Sequence, residues 1–240
     1  MHVGMVVVHY KSAHLTQEDI DSCDDGEWIS DQVINLYFEY LTNEKAKKEI
    51  VLMDPASVAL MLHRNNAKEV FEIFEPLKLH EAELIWWPIN DSKVSGNWAR
   101  RYIPFFNKLF PDEDEEGTHW ALLVYVKSAD KFYYFDSSGF EIKNAFKAAT
   151  KLRCLVDQNK DNNGIKKKSS EVEIVDTPQQ NNTWDWGVFV MSITEYLIKL
   201  HMQQKLIEVD IWDVDFESHI NQRKVTRMRK DLKELISTLK

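Results

Sequence analysis

Gln179-Gln180-Asn181-Asn182-Thr183-Trp184-Asp185-Trp186-Gly187 is the stretch around which the chain is organised. A polar, turn-prone run ends at Asp185, and an apolar pattern begins at Trp186 and Gly187. Val188, Phe189, Val190, Ile193, Leu197 and Leu200 recur at helical spacing, which predicts a largely buried helix from Trp186 onward. The first turn of such a helix carries unpaired backbone N–H groups and a partial positive charge. That makes it a seat for a thiolate or an oxyanion. Here the residue at the seat is an indole.

Two apolar runs lie upstream, Trp120 to Val126 and Phe132 to Phe135, joined by Lys127-Ser128-Ala129-Asp130-Lys131. They read as an antiparallel hairpin, apolar on both faces and therefore central in a sheet. A turn centred near Ala129 sets Asp136 opposite Ala121, and His119 shares a face with Ala121 because strand side chains alternate. His119 and Asp136 are then diagonal neighbours within reach of each other. The same spacing suits a structural His–Asp contact at a sheet edge, and it suits a catalytic pair.

The remaining segments supply helices and edges. Ser30 reads as an N-cap, followed by Asp31 and an apolar face of Val33, Ile34, Tyr37, Phe38 and Leu41, for a helix over about 31–42. Trp28, just outside that cap, suits a staple-like core contact. Asp54-Pro55 opens a second helix, and a short one around Lys68 to Phe74 stops before Pro76. Glu83 to Ile89 reads as a strand, with Pro88 marking its end or an edge. Phe140 to Val156 suits a helix with Ile142, Phe146, Ala149 and Leu152 on one side, and Glu171 to Val175 suits a short strand. Val225, Met228, Leu232, Leu235, Ile236 and Leu239 stripe a closing helix. The fold class expected is α+β.

Two segments interrupt this plan. A polar loop over about 157–170 contains Lys166-Lys167-Lys168. The longer insertion, about 92–117, holds Pro104 and Pro111, which prevent one uninterrupted helix, and ends in the acidic run Asp112 to Glu116. Its basic and aromatic half offers Trp98, Arg100, Arg101, Tyr102, Phe105 and Phe106 to a possible protein partner.

Composition sets the bounds. The 240 residues are 44% hydrophobic with eight tryptophans, enough for a sizeable core, and neither a repeat nor a Gly/Ser-rich linker divides them. One domain over residues 1–240 is expected. A formal charge of −9 argues against nucleic acid as the main partner. Cys23 and Cys154 are the two cysteines and give neither a disulfide framework nor a zinc-ligand set. The eight histidines form no His-Glu-x-x-His, so no metal and no cofactor is expected. Gly4 to Val8 is too short for a signal-peptide core, and no stretch is long enough to span a bilayer. The expected setting is the cytoplasm and/or nucleus, with no membrane partner.

Gln180, Asn182, Asp185 and Gly187 match the Gln-x-Asn-x-x-Asp-Cys-Gly signature of the ubiquitin-like-protein-specific cysteine proteases, with Trp186 at the cysteine position. Gly117-Thr118-His119-Trp120 and Tyr134-Phe135-Asp136-Ser137 precede it in the order that family uses. The chain therefore resembles this family (the Ulp or sentrin proteases) along nearly its whole length. Trp28-Ile29-Ser30-Asp31, Gly117 to Val126 and the Lys230 to Lys240 tail look most like its deneddylase branch. The resemblance implies a papain-like fold of the clan CE type, with a central mixed sheet flanked by helices. It implies that His119 would be the base, Asp136 its orienting carboxylate and Gln180 the oxyanion donor. Trp28 and Trp120 would roof a tunnel for a Gly-Gly tail, and Asp31 would contact the modifier. Trp186 cannot replace the thiol, because its N–H is only a donor.

Three readings follow. The chain is an inactive relative that still binds a ubiquitin-like modifier, or a protein conjugated to one, as reader, decoy or adaptor. Alternatively it is an interaction scaffold that uses the 92–117 insertion for an unrelated partner. It is an active deneddylase only if Trp186 is a sequence or engineered change from cysteine.

Overall fold

The computed structural model describes residues 5–46, 49–64, 66–91, 119–139, 142–157, 170–203, 211 and 214–239. Trp98, Arg100, Arg101, Tyr102, Phe105 and Phe106, with nearly all of both interrupting segments, lie outside the described residues. The architecture is α+β, with a mixed five-stranded sheet. Its strands are β3 (Ile50–Leu52), β4 (Leu84–Asn90), β5 (Trp120–Val126), β6 (Lys131–Phe135) and β7 (Val172–Ile174), in that spatial order. The middle pairs β4–β5 and β5–β6 are antiparallel, while β3 and β7 add parallel strands at the flanks. An N-terminal hairpin of β1 (Val6–Tyr10) and β2 (Ala13–Thr16) stands apart from it.

Both faces of the sheet are covered, which is why its central strands are nearly continuous runs of apolar residues. Side-chain alternation sends Trp86 to one face and Trp87 to the other, both fully buried. The Trp86 face packs α2 (Asp31–Glu44), α6 (Trp186–Met202) and α8 (Gln222–Thr238). The Trp87 face packs α3 (Pro55–His63), α4 (Ala67–Phe74) and α5 (Ile142–Val156). Two shorter helices are α1 (Gln17–Asp21) and α7 (Phe216–His219). Ser30 caps α2 by accepting from the Val33 N–H, and Asp54 caps α3 by accepting from that of Ser57.

Two expectations, at Trp28 and Phe146, need correction. Trp28 is no core staple, since half its surface is exposed and Ile29 fills the buried position instead. Pro88 lies inside β4, opposite Leu122, and marks an edge as expected: β3 pairs only with Leu84 to Trp86, so among the described residues that half of the strand has no neighbour needing its N–H. Phe146 is largely exposed, and α5 buries Ala145, Ala148, Ala149, Leu152 and Leu155. Small residues there let α5 sit close to the sheet, a stripe that a search for large hydrophobics overlooks. Cys23, in the turn that follows α1, is buried.

Candidate functional site

The site forms where β5 begins, β6 ends and α6 starts. The β5–β6 register pairs Leu122 with Phe135, and continuing it sets Ala121 against Asp136, the pairing expected from the turn. His119 is fixed through its backbone: its N–H donates to Asp91 Oδ1 (2.9 Å), and its carbonyl accepts from Asn90 Nδ2 and the Asp91 N–H. Its buried ring places Nε2 3.1 Å from Asp136 Oδ1. The N–H is off line for a directed hydrogen bond, so the contact is mainly electrostatic. Nδ1 lies 3.3 Å from Ser138 Oγ.

Asp136 is held by its own turn. Oδ1 accepts from the Ser138 N–H, Ser138 Oγ and the Gly139 N–H, while Oδ2 accepts from the Tyr134 hydroxyl at 3.1 Å. Gly139, at φ +74°, closes the turn in the left-handed region. Burial raises the carboxyl pKa, but His119 and the Ser138 donors outweigh it and hold the group ionised well below the usual carboxylate range.

The Gln179–Gly187 stretch is tied to that turn. Gln179 Nε2 donates to the Asp136 carbonyl, and the Gln180 N–H donates to that of Ser137. Gln180 is engaged at both ends of its amide: Oε1 accepts from Ser137 Oγ (2.8 Å), and Nε2 donates to the Asn182 carbonyl (2.6 Å). Asn182 Oδ1 accepts from the Trp184 and Asp185 N–H groups, shaping the turn into α6. Asp185 occupies the N-cap without capping; its buried carboxylate instead accepts from Asn182 Nδ2, Gln222 Nε2 and Arg229 Nε.

Trp186 heads α6 and sits between two rings. His119 meets it edge-on with centroids 5.4 Å apart, and Trp28 lies 6.3 Å away at a tilt of 58°. Its buried Nε1 finds no acceptor among the described residues. Trp28 is held by its own Nε1, which donates to the Thr183 carbonyl at 2.9 Å. Asp31 is buried at the first position of α2, close in sequence to Trp28, and Trp120 packs half-buried against the α6 side of the sheet. His119, Asp136, Gln180, Trp186 and Trp28 thus come together. Cys154 is exposed on α5, and burial raises the Cys23 thiol to about 11.

Sequence reasoning missed Ser138 and Arg229. Ser138 carried no signal beyond its place after Asp136. Arg229 did: at i+4 from Val225 and i−3 from Leu232 it falls on the apolar stripe of α8, where a cation needs a buried partner.

Residues 27–239 match the model of the Ulp1 protease family, C-terminal catalytic domain. The probable sentrin-specific protease 8 of Dictyostelium discoideum is 28% identical over 207 residues, covering 83% of this chain and 77% of that protein. Sentrin-specific protease 8 of Homo sapiens is 24% identical and covers 98% and 97%. NEDD8-specific protease 1 of Arabidopsis thaliana is 26% identical and covers 78% and 72%. The X-ray structure of the C-terminal Ulp1 protease domain in complex with SMT3, the yeast ortholog of SUMO, superposes with a TM-score of 0.68 at 18% identity. That likeness spans 99% of this chain and 89% of that one and concerns the fold.

Proposed function

The chain belongs to the Ulp1 protease family, and from that premise we propose that it is an inactive member that still binds a ubiquitin-like modifier, through the modifier's globular body. The observation that carries this reading is the indole of Trp186 seated between His119 and Trp28. In this reading position 186 is where a catalytic thiol would stand, His119 is the base and Asp136 its orienting partner. An indole offers no lone pair for acyl attack and no proton that His119 can remove near neutral pH. Loss of the nucleophile in a comparable triad lowers the rate about a million-fold, roughly 8 kcal/mol. The buried thiol of Cys23 and the remote one of Cys154 do not substitute.

The same indole would fill the passage that a Gly-Gly tail would need. It has roughly 150 Å² or more to bury, far more than a glycine backbone leaves free. Contact then falls to the surface around the half-exposed Trp28; Asp31, close to it in sequence, is buried and supports that surface from within. The test is titration of the purified chain with ubiquitin, SUMO and a NEDD8-type modifier, each with and without its terminal Gly-Gly. One of them should bind, with removal of Gly-Gly changing Kd by less than about tenfold, or ~1.4 kcal/mol. A larger loss means that the tail enters and Trp186 swings aside. Binding of none favours the scaffold reading. Turnover surviving Cys23→Ser together with Cys154→Ser overturns the loss of catalysis.

A further inference from the structure

We propose that the cleft bounded by α2, α6 and α8 is a docking groove for an acidic amphipathic helix of a partner protein. Its volume is about 810 Å³. It follows α6 from Ser192 to Gln203, so it starts about 9 Å along the helix from Trp186 and runs away from His119. It is therefore separate from the site described above.

The walls decide what form of ligand fits. Tyr37 and Tyr40 come from α2, Tyr196 and Met202 from α6, and Met228 and Leu235 from α8. On each helix the lining positions recur at three- and four-residue spacing, so each wall is a helical side-chain ridge. Walls built of helices expose no strand edge for an extended peptide to join. A ligand whose backbone is satisfied internally, and whose apolar stripe interdigitates with those ridges, is a helix.

Charge then selects among helices. The cleft carries four cations, Lys45, Lys199, Lys224 and Arg227, against two carboxylates, Glu195 and Asp231. Those carboxylates are already paired with Lys45 and Arg227. Among the described residues no carboxylate pairs with Lys199 or Lys224, which leaves surplus positive charge there on a chain whose formal charge is −9. Lys199, in the last turn of α6, also complements its own helix dipole. Lys224 does the opposite, because it lies in the first turn of α8, where that helix favours anions. It donates to the Ser218 carbonyl, a neutral acceptor, and meets no carboxylate among the described residues. An acidic partner supplies the missing counter-charge for both lysines.

The probe is a fluorescently labelled synthetic helix of about 16 residues, roughly 24 Å long, with leucines at three- and four-residue spacing and glutamates elsewhere. Its control replaces every glutamate with lysine. Anisotropy titration of the full chain should show the acidic helix binding at least tenfold more tightly than the basic one. Lys199→Glu with Lys224→Glu should weaken the acidic helix at least tenfold and leave the thermal transition in place, since both side chains are exposed. The neutral pair Lys199→Gln and Lys224→Gln should fall between. Equal binding of the two helices, or an acidic helix indifferent to the charge reversal, overturns the proposal. So does no binding of the acidic helix.

Discussion

A sulfur at position 186 would stand among the unpaired backbone N–H groups that open α6, next to an imidazole whose ring already meets the present side chain. Both neighbours favour a thiolate. In a Cys154→Ser background, which removes the exposed thiol, Trp186→Cys should react with iodoacetamide at about pH 6 much faster than an ordinary thiol, which is almost wholly protonated there. Cys23 adds no background, because burial holds its pKa at about 11. Adding His119→Ala should slow the reaction markedly, leaving only the part that the helix N-terminus contributes. An unchanged rate would mean that the imidazole and position 186 are not coupled, and that His119–Asp136 is a structural pair. Hydrolysis should recover less than labelling does. The Gln180 amide is already committed to Ser137 and the Asn182 carbonyl, and stabilising an oxyanion requires it to turn.

At the level of elements, the ends of helices carry most of the consequences. Gly187 is the second residue of α6, and a Cβ there would lie 3.2 Å from Ile29 Cβ and 3.4 Å from Ile34 Cδ1. Ile29 has little room to yield, being fixed between Trp28, bonded to Thr183, and the Ser30 cap. Gly187→Ala should therefore lower stability by about 1–2 kcal/mol by urea unfolding, overpacking outweighing the ~1 kcal/mol helix-propensity gain; a stabilised variant would show that α2 and α6 separate easily. His63 ends α3 beside α5, where Lys151 Nζ donates to the Met61, Leu62 and Arg64 carbonyls. Burial first, then the charges of Lys147 and Lys151, lower the His63 pKa from 6.5 to about 4. The folded value lies below the unfolded one, so the unfolded chain takes up the proton first. Stability is full above about 6.5 and is lost as pH falls toward 4, by at most about 3 kcal/mol and less with solvent screening. His63→Gln should flatten urea midpoints between pH 7 and 4.5; an unchanged slope would place the acid loss elsewhere. Elements of this kind were legible where a cap met a periodic stripe, as at Ser30 and Asp54, or where a polar run gave way to such a stripe, as at Trp186. They were misread where burial depended on a neighbour's size, as at Phe146.

For the molecule as a whole, the β5–β6 hairpin could be aligned from its turn, because five connecting residues leave little freedom in register. That local constraint made His119 and Asp136 legible as a pair. No comparable constraint links residues more than 200 apart, and the centre of the fold is such a link. Arg229, almost fully buried on α8, donates to Asp185 Oδ1 and the Trp184 carbonyl, and also to the carbonyls of Ser22, Asp24 and Glu27. One guanidinium thus joins the C-terminal helix, the turn that presents Trp186 and the N-terminal loop that carries Trp28. A planar fork with five donors suits this task, and a lysine ammonium would leave carbonyls unmet. Arg229→Met removes every one of these bonds and strands a buried carboxylate, so it should lower stability by about 3–5 kcal/mol. Much of that loss belongs to the stranded charge. Asp185→Asn added to Arg229→Met should therefore recover part of it, and the double variant should be more stable than the two single losses combined would predict. Hydrogen exchange adds a spatial reading, with amides of 22–28 and 183–186 exchanging faster in Arg229→Met while those of β4 and β5 keep their order of protection. Strict additivity of the two substitutions would mean that Asp185 and Arg229 are held independently. The loop with Trp28 and the turn with Trp186 would then be positioned by separate contacts.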